Sequence, residues 1–246
     1  MVIKKYVPAN VDVVVTSYGG VGTTFIMDFI SQQRRVNDKI NEDRLKHLPY
    51  PPLSIDSNQK FIYIFGDPVM AAISLFRRKL HYPQSKRIIH GLRNNQQPIP
   101  RSMTIEQYAS EGVDRFYFQE HFRNWYNSMH TNPIIFLRYE TLKNHLEKIF
   151  DYLDLPHELV STFPEFRVRE SYNHKLSDNT LIQLQTIYHE FNQELDQVPD
   201  IKVYYPNSRN FLKTITNYKL YSMSRIYWGM NKAIGPLYER MKINKL

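Results

Sequence analysis

With 246 residues the chain is long enough for one large α/β domain and too short for two ordinary domains with linkers. A hydrophobic share of 42% and a charged share of 23% exclude a fibrous repeat and wholesale disorder, and the absence of cysteine excludes disulfide frameworks, thiolate metal sites and cysteine nucleophiles. The formal net charge of +8 favours anionic partners, whether a nucleotide, a sulfated or phosphorylated ligand, nucleic acid or an acidic membrane surface, although a solvated basic surface gives the same number.

Residues 1–10 carry only Lys4 and Lys5 before a short apolar run, without a signal-peptide core, and no apolar run reaches the roughly 18 to 20 residues that span a bilayer. A cytoplasmic location is the expectation. Residues 11–16 are rich in valine and read as a buried parallel strand. Phe25, Ile26, Phe29 and Ile30 then recur at helical spacing, predicting a helix from Thr23 to about residue 35. A second strand over 61–65 runs through Gly66 and Asp67 into Pro68, where an Asp cap followed by Pro at the first helical position marks a helix start. That helix carries Met70, Ile73, Ser74, Arg77 and Arg78. Residues 81–102, with Gly91 and several Pro and Asn, lack sustained periodicity and are expected to form a long loop of the kind that binds or covers ligands. A helix from Thr104, a helical stretch through His121 and Trp125, a strand over 134–138, a helix over 142–153 and an amphipathic helix over 177–195 complete the reading. The expected fold is a P-loop three-layer α/β architecture, a central mostly parallel sheet flanked by helices. Residues 1–206 form its domain, and 207–246 form a basic, aromatic helical tail that packs on it or offers peripheral contact to a membrane surface.

Between the first strand and helix lies Ser17-Tyr18-Gly19-Gly20-Val21-Gly22-Thr23-Thr24. A glycine turn entering a helix aims backbone N–H groups and the positive helix end at one point, which suits phosphate oxygens. Thr23 stands where a Walker A motif has lysine, which disfavours an ordinary Mg-ATP hydrolase. The histidines show no paired ligand spacing, so no metal is expected.

Ser17 through Phe25 resembles the loop of the PAPS-dependent sulfotransferases, written S-Y-P-K-S-G-T-T-W, which holds the 5′-phosphosulfate of PAPS. Residues 61–74, a strand ending Phe65-Gly66-Asp67-Pro68 with Ser74 on the next helix, resemble the second signature of that family, whose arginine and serine bind the 3′-phosphate. Leu45-Lys46-His47-Leu48-Pro49 is similar to the K-T-H-L-P segment around the catalytic histidine, and Leu137-Arg138-Tyr139-Glu140 to the R-Y-E-D-L strand end. Phe118 to Trp125 adds a further likeness, and all of these occur in family order.

The resemblance implies PAPS as donor, PAP as product and a small-molecule or carbohydrate hydroxyl as acceptor, with no nucleic-acid partner. It assigns Gly19, Gly20, Val21, Gly22, Thr23, Thr24 and Phe25 to the 5′-end of the donor, Ser74 to its 3′-phosphate, and Tyr139 to the adenine. His47 becomes the general base, an imidazole titrating near neutrality, and Lys46 supplies charge at the sulfuryl group. Glu42 and Asp43 are the fallback bases. Two family cations are missing, since the loop lysine or arginine falls on Gly20 and the 3′-phosphate arginine on Gly66. Arg77 and Arg78, three and four positions after Ser74, are the candidate replacements. A nucleotide-binding protein or scaffold that has lost the chemistry is therefore the alternative. His121 and Trp125 read as core.

Overall fold

Three parallel strands set the frame. In the computed structural model, which describes residues 5–54, 56–92, 95–165 and 176–206, β1 (Val13–Ser17) pairs with β2 (Lys60–Phe65) and β2 with β3 (Ile134–Arg138), all parallel. A fourth strand absent from the sequence reading, β4 (Ile201–Tyr204), adds antiparallel to β3, giving the order β1-β2-β3-β4. Every residue of β1 is buried, as a strand covered on both faces requires. The register pairs Ser17 with Ile64 and Phe65 with Arg138, so the three parallel strands end together. The glycine loop, Gly66-Asp67 and Tyr139-Glu140 all leave from that one edge, where open α/β sheets build their ligand crevice.

Alternation along β2 sends Phe61, Tyr63 and Phe65 to one face and Ile62 and Ile64 to the other. The aromatic face meets α5 (Phe118–Tyr126): the Tyr63 ring centroid lies 5.4 Å from that of Trp125, and Phe65 lies 5.5 Å from Phe122. His121 and Trp125 are fully buried in this layer, with His121 Nδ1 2.9 Å from the Tyr63 hydroxyl. α4 (Ile105–Glu111) starts with a capping box between Thr104 and Gln107 and stops at Gly112. The mixed α/β architecture, a mostly parallel sheet flanked by helices, is the one expected.

Several boundaries differ from the sequence reading. α1 spans Thr23–Ile30 rather than reaching residue 35, because the chain turns back to the sheet: Arg35 Nε and Nη2 donate to the Asp12 carboxylate at 3.0 and 2.6 Å, and Val36 bridges to Val13. The expected loop over 81–102 is in its first half a helix, α3 (His81–Leu92). Its buried residues His81, Gln84, Ser85, Ile88 and Ile89 recur at three- and four-residue spacing, a stripe that Pro83 in the first turn and Gly91 near the end disguise. The helix over 142–153 opens as a 3-10 turn, Leu142–His145, before α6 (Leu146–Leu153). The amphipathic run over 177–195 divides into α7 (Asp178–Ile187) and α8 (His189–Asp196) at Tyr188, whose buried hydroxyl is drawn to Tyr108 Oη at 2.7 Å and Asp114 Oδ1 at 3.2 Å. The tail over 207–246 lies outside the described residues.

Candidate active site

The loop after β1 is tied from within and from three sides. Ser17 Oγ lies 2.6 Å from Thr23 Oγ1 and accepts the Gly19 N–H at 3.0 Å. The buried Tyr18 hydroxyl accepts the Gly66 N–H at 2.9 Å and donates to the Gly66 carbonyl, joining the loop to the entry of α2 (Pro68–Arg77). Two glycines are dictated by packing. At Gly20 (φ 80°) a Cβ would sit 2.6 Å from the Ala71 carbonyl oxygen, and at Gly22 (φ 70°) it would sit 2.0 Å from the Tyr139 ring. Gly22 is also the N-cap of α1 and provides no side-chain cap, so the first turn presents its N–H groups and positive end to the space above.

That space is a cavity of about 1060 Å³, roomy enough for a nucleotide and a second molecule together. Every residue that the sequence assigned to binding or catalysis lines it: Gly19 to Phe25, Lys46, His47, Ser74, Arg78 and Tyr139. Arg77, the other candidate replacement cation, does not. Nor do the fallback bases. Asp43 Oδ2 accepts Asp38 N–H at 2.7 Å and Oδ1 accepts Leu45 N–H at 3.0 Å, so its carboxylate braces its own turn, while Glu42 is exposed.

Residues 46 and 47 dock on the end of β1, where Ser17 N–H donates to the Lys46 carbonyl at 3.1 Å. The buried Lys46 ammonium donates to Thr24 Oγ1 at 2.6 Å and to the Lys39 carbonyl at 2.8 Å, and burial lowers its pKa. His47 Nδ1 lies 2.9 Å from the Ser17 carbonyl, which can only accept, so Nδ1 carries the proton and Nε2 keeps its lone pair. Burial pushes the His47 pKa down to about 3, away from the near-neutral titration expected of it, and its charged neighbours Lys46 and Arg87 push the same way. The imidazole is therefore neutral at physiological pH, with its lone pair on Nε2, and a weaker base than a free histidine.

On the α2 side, Ser74 is buried and its carbonyl accepts from Arg78 Nε at 3.1 Å. Of the two positions where the resemblance placed cations, only Gly20 is closed by backbone and by a positive φ. Gly20 faces the backbone of Ala71, and at Gly66 a Cβ would meet Glu140 Oε1 at 2.6 Å. Glu140 holds the Asp67 N–H at 2.8 Å, and burial raises the pKa of both carboxyls. Gln84 and Arg87 of α3 also line the cavity. The sequence does not single out either residue, because Pro83 and Gly91 give their segment the local look of a loop; their i, i+3 spacing beside a buried stripe is the available signal. With its uncapped helix end, four basic side chains (Lys39, Lys46, Arg78 and Arg87) and a neutral histidine, the cavity fits a phosphate-rich nucleotide and the removal of one proton.

Among the described residues no helix is long and apolar enough to cross a membrane. A family model described as a sulfotransferase domain matches residues 34–197, a range that begins after the glycine loop and contains Lys46, His47, α2, α3 and Tyr139. No curated protein matches the chain.

Proposed function

Since this match makes the chain a member of the sulfotransferase domain family, we propose that it moves a sulfuryl group from PAPS to a hydroxyl on a carbohydrate or small molecule. The observation that carries the proposal is the meeting, in one cavity, of the uncapped N-terminus of α1 with Lys46 and a histidine of fixed tautomer. PAPS supplies the sulfuryl group and leaves as PAP. The first turn of α1, with Thr23 and Thr24, holds the 5′-phosphate oxygens. Ser74 and Arg78 hold the 3′-phosphate, and Tyr139 flanks the adenine. His47 Nε2 takes the acceptor proton as that oxygen attacks sulfur, while the Lys46 ammonium balances charge gathering on the sulfuryl oxygens. A bound polyanion favours the imidazolium, which lifts the His47 pKa toward the range a general base needs.

The two missing cations, with glycine at positions 20 and 66, favour a second reading, a PAP-binding protein or scaffold without turnover. Absence of any sulfated product from a broad sugar and phenol panel, with PAP binding intact, would select it. For the donor itself, a thermal melt decides. PAP raises the melting temperature by ligand linkage more than AMP or ATP does at equal concentration; equal shifts from all three, or none, would sink the donor assignment.

A further inference from the structure

Gly20 cannot carry the cation that the loop lacks, so charge at the transferring group has to come from another element. Lys46 has spent two of its three N–H groups on Thr24 Oγ1 and the Lys39 carbonyl, and burial weakens its hold on its proton. One face of α3 spans the gap between the glycine loop and the histidine segment. At its start, Gln84 Nε2 donates to the Tyr18 carbonyl at 2.8 Å and packs so close to Gly19 that a Cβ there would lie 2.7 Å from it. Two turns on, Gly91 packs on Pro49, where a Cβ would meet the proline ring at 2.5 Å. Arg87 stands between these contacts, three residues after Gln84 and four before Gly91, on the same face.

Arg87 is exposed and lines the cavity, and none of the ion pairs among the described residues takes it. Its charge is felt at both Lys46 and His47. A guanidinium stays charged at any physiological pH and offers a fork of donors to tetrahedral oxyanions. We propose that Arg87, delivered by α3 between Gly19 and Pro49, binds the sulfuryl oxygens of the donor and replaces the cation missing at Gly20. This rests on the PAPS reading given above.

The test is calorimetric titration of PAPS and of PAP into the wild-type protein, Arg87→Ala, Arg87→Lys and Arg78→Ala, with melting temperatures confirming that each variant is folded. Arg87→Ala weakens PAPS by about 10- to 100-fold, the usual worth of a hydrogen bond to a charged group, and leaves PAP within about threefold; Arg87→Lys recovers part of the loss. Arg78→Ala weakens both ligands alike. Equal weakening of PAPS and PAP by Arg87→Ala would make Arg87 a general phosphate contact, and no weakening of either would turn it toward the acceptor or solvent; both results overturn the proposal. A wild-type protein that binds neither nucleotide removes the donor reading itself, a failure distinct from these two.

Discussion

The glycine loop and the helices that close on it bring different things to the cavity. The loop contributes backbone: three residues with positive φ, an uncapped helix N-terminus and no basic side chain. The flanking elements contribute charge, with Lys46 beside β1, Arg78 at the end of α2 and Arg87 on α3. These two facts have one cause. Without side chains at Gly19 and Gly20 the loop admits Gln84 of α3 and Ala71 of α2 into direct contact, and close helices bring their own cations to the cavity. A loop lysine would push those helices away, so the two designs exclude each other.

The largest expected effect falls on the proton acceptor rather than on either source of charge. With an acceptor in hand, His47→Ala lowers turnover by about 10² to 10⁴, the usual range for loss of a general base, while PAP affinity measured by titration stays near wild type. Unchanged turnover would remove His47 from the chemistry. Next comes an attempt to move the charge back. Gly20→Lys places a side chain at φ 80° against the Ala71 backbone, so it should cost about 1 to 3 kcal/mol or more of stability, read from the urea midpoint, with no gain in turnover. A stable and faster variant would break the comparison between loop and helices.

How much of this was legible in the sequence depended on the kind of signal. β1, the glycine loop and the Asp67-Pro68 helix start were readable because each is specified locally, by a valine run, by positive-φ residues and by a cap that the structure shows as Asp67 Oδ1 accepting Val69 N–H at 2.7 Å. α3 was not, because Pro83 and Gly91 are loop residues by local preference, and only tertiary contact with Pro49 explains a glycine inside that helix. β4 was missed for a similar reason: Ile201–Tyr204 is short and half-exposed and exists through its pairing with β3. The depressed pKa of His47 was beyond sequence reasoning, since it follows from burial against the end of β1. Lys46 and His47 were found through a motif, while Arg87 lay hidden with its helix.

A smaller effect sharpens the contrast between the cavity and the core. Burial holds His47 at about 3 and His130, packed among Trp125, Phe136 and Tyr204, at about 4. Both stay neutral in the fold and take a proton in the unfolded chain below about pH 6.5. Folding stability therefore loses their contribution as pH falls from about 6.5 toward 4. Binding of PAP raises the His47 pKa, because a nearby anion favours the imidazolium, and leaves His130 in place. Ring-proton NMR titration with and without PAP reads both; a His47 pKa unmoved by PAP would separate that residue from the nucleotide.

The central claim is that the charge holding the donor sits on the helices, and Arg78 at the end of α2 tests it most directly. Affinities of PAP and of AMP, which lacks the 3′-phosphate, are to be measured by titration calorimetry for the wild-type protein and Arg78→Ala. The account predicts that Arg78→Ala weakens PAP by at least about tenfold, as loss of a charge-assisted contact should, and leaves AMP within about threefold. An equal loss for both nucleotides, or none for either, would contradict it.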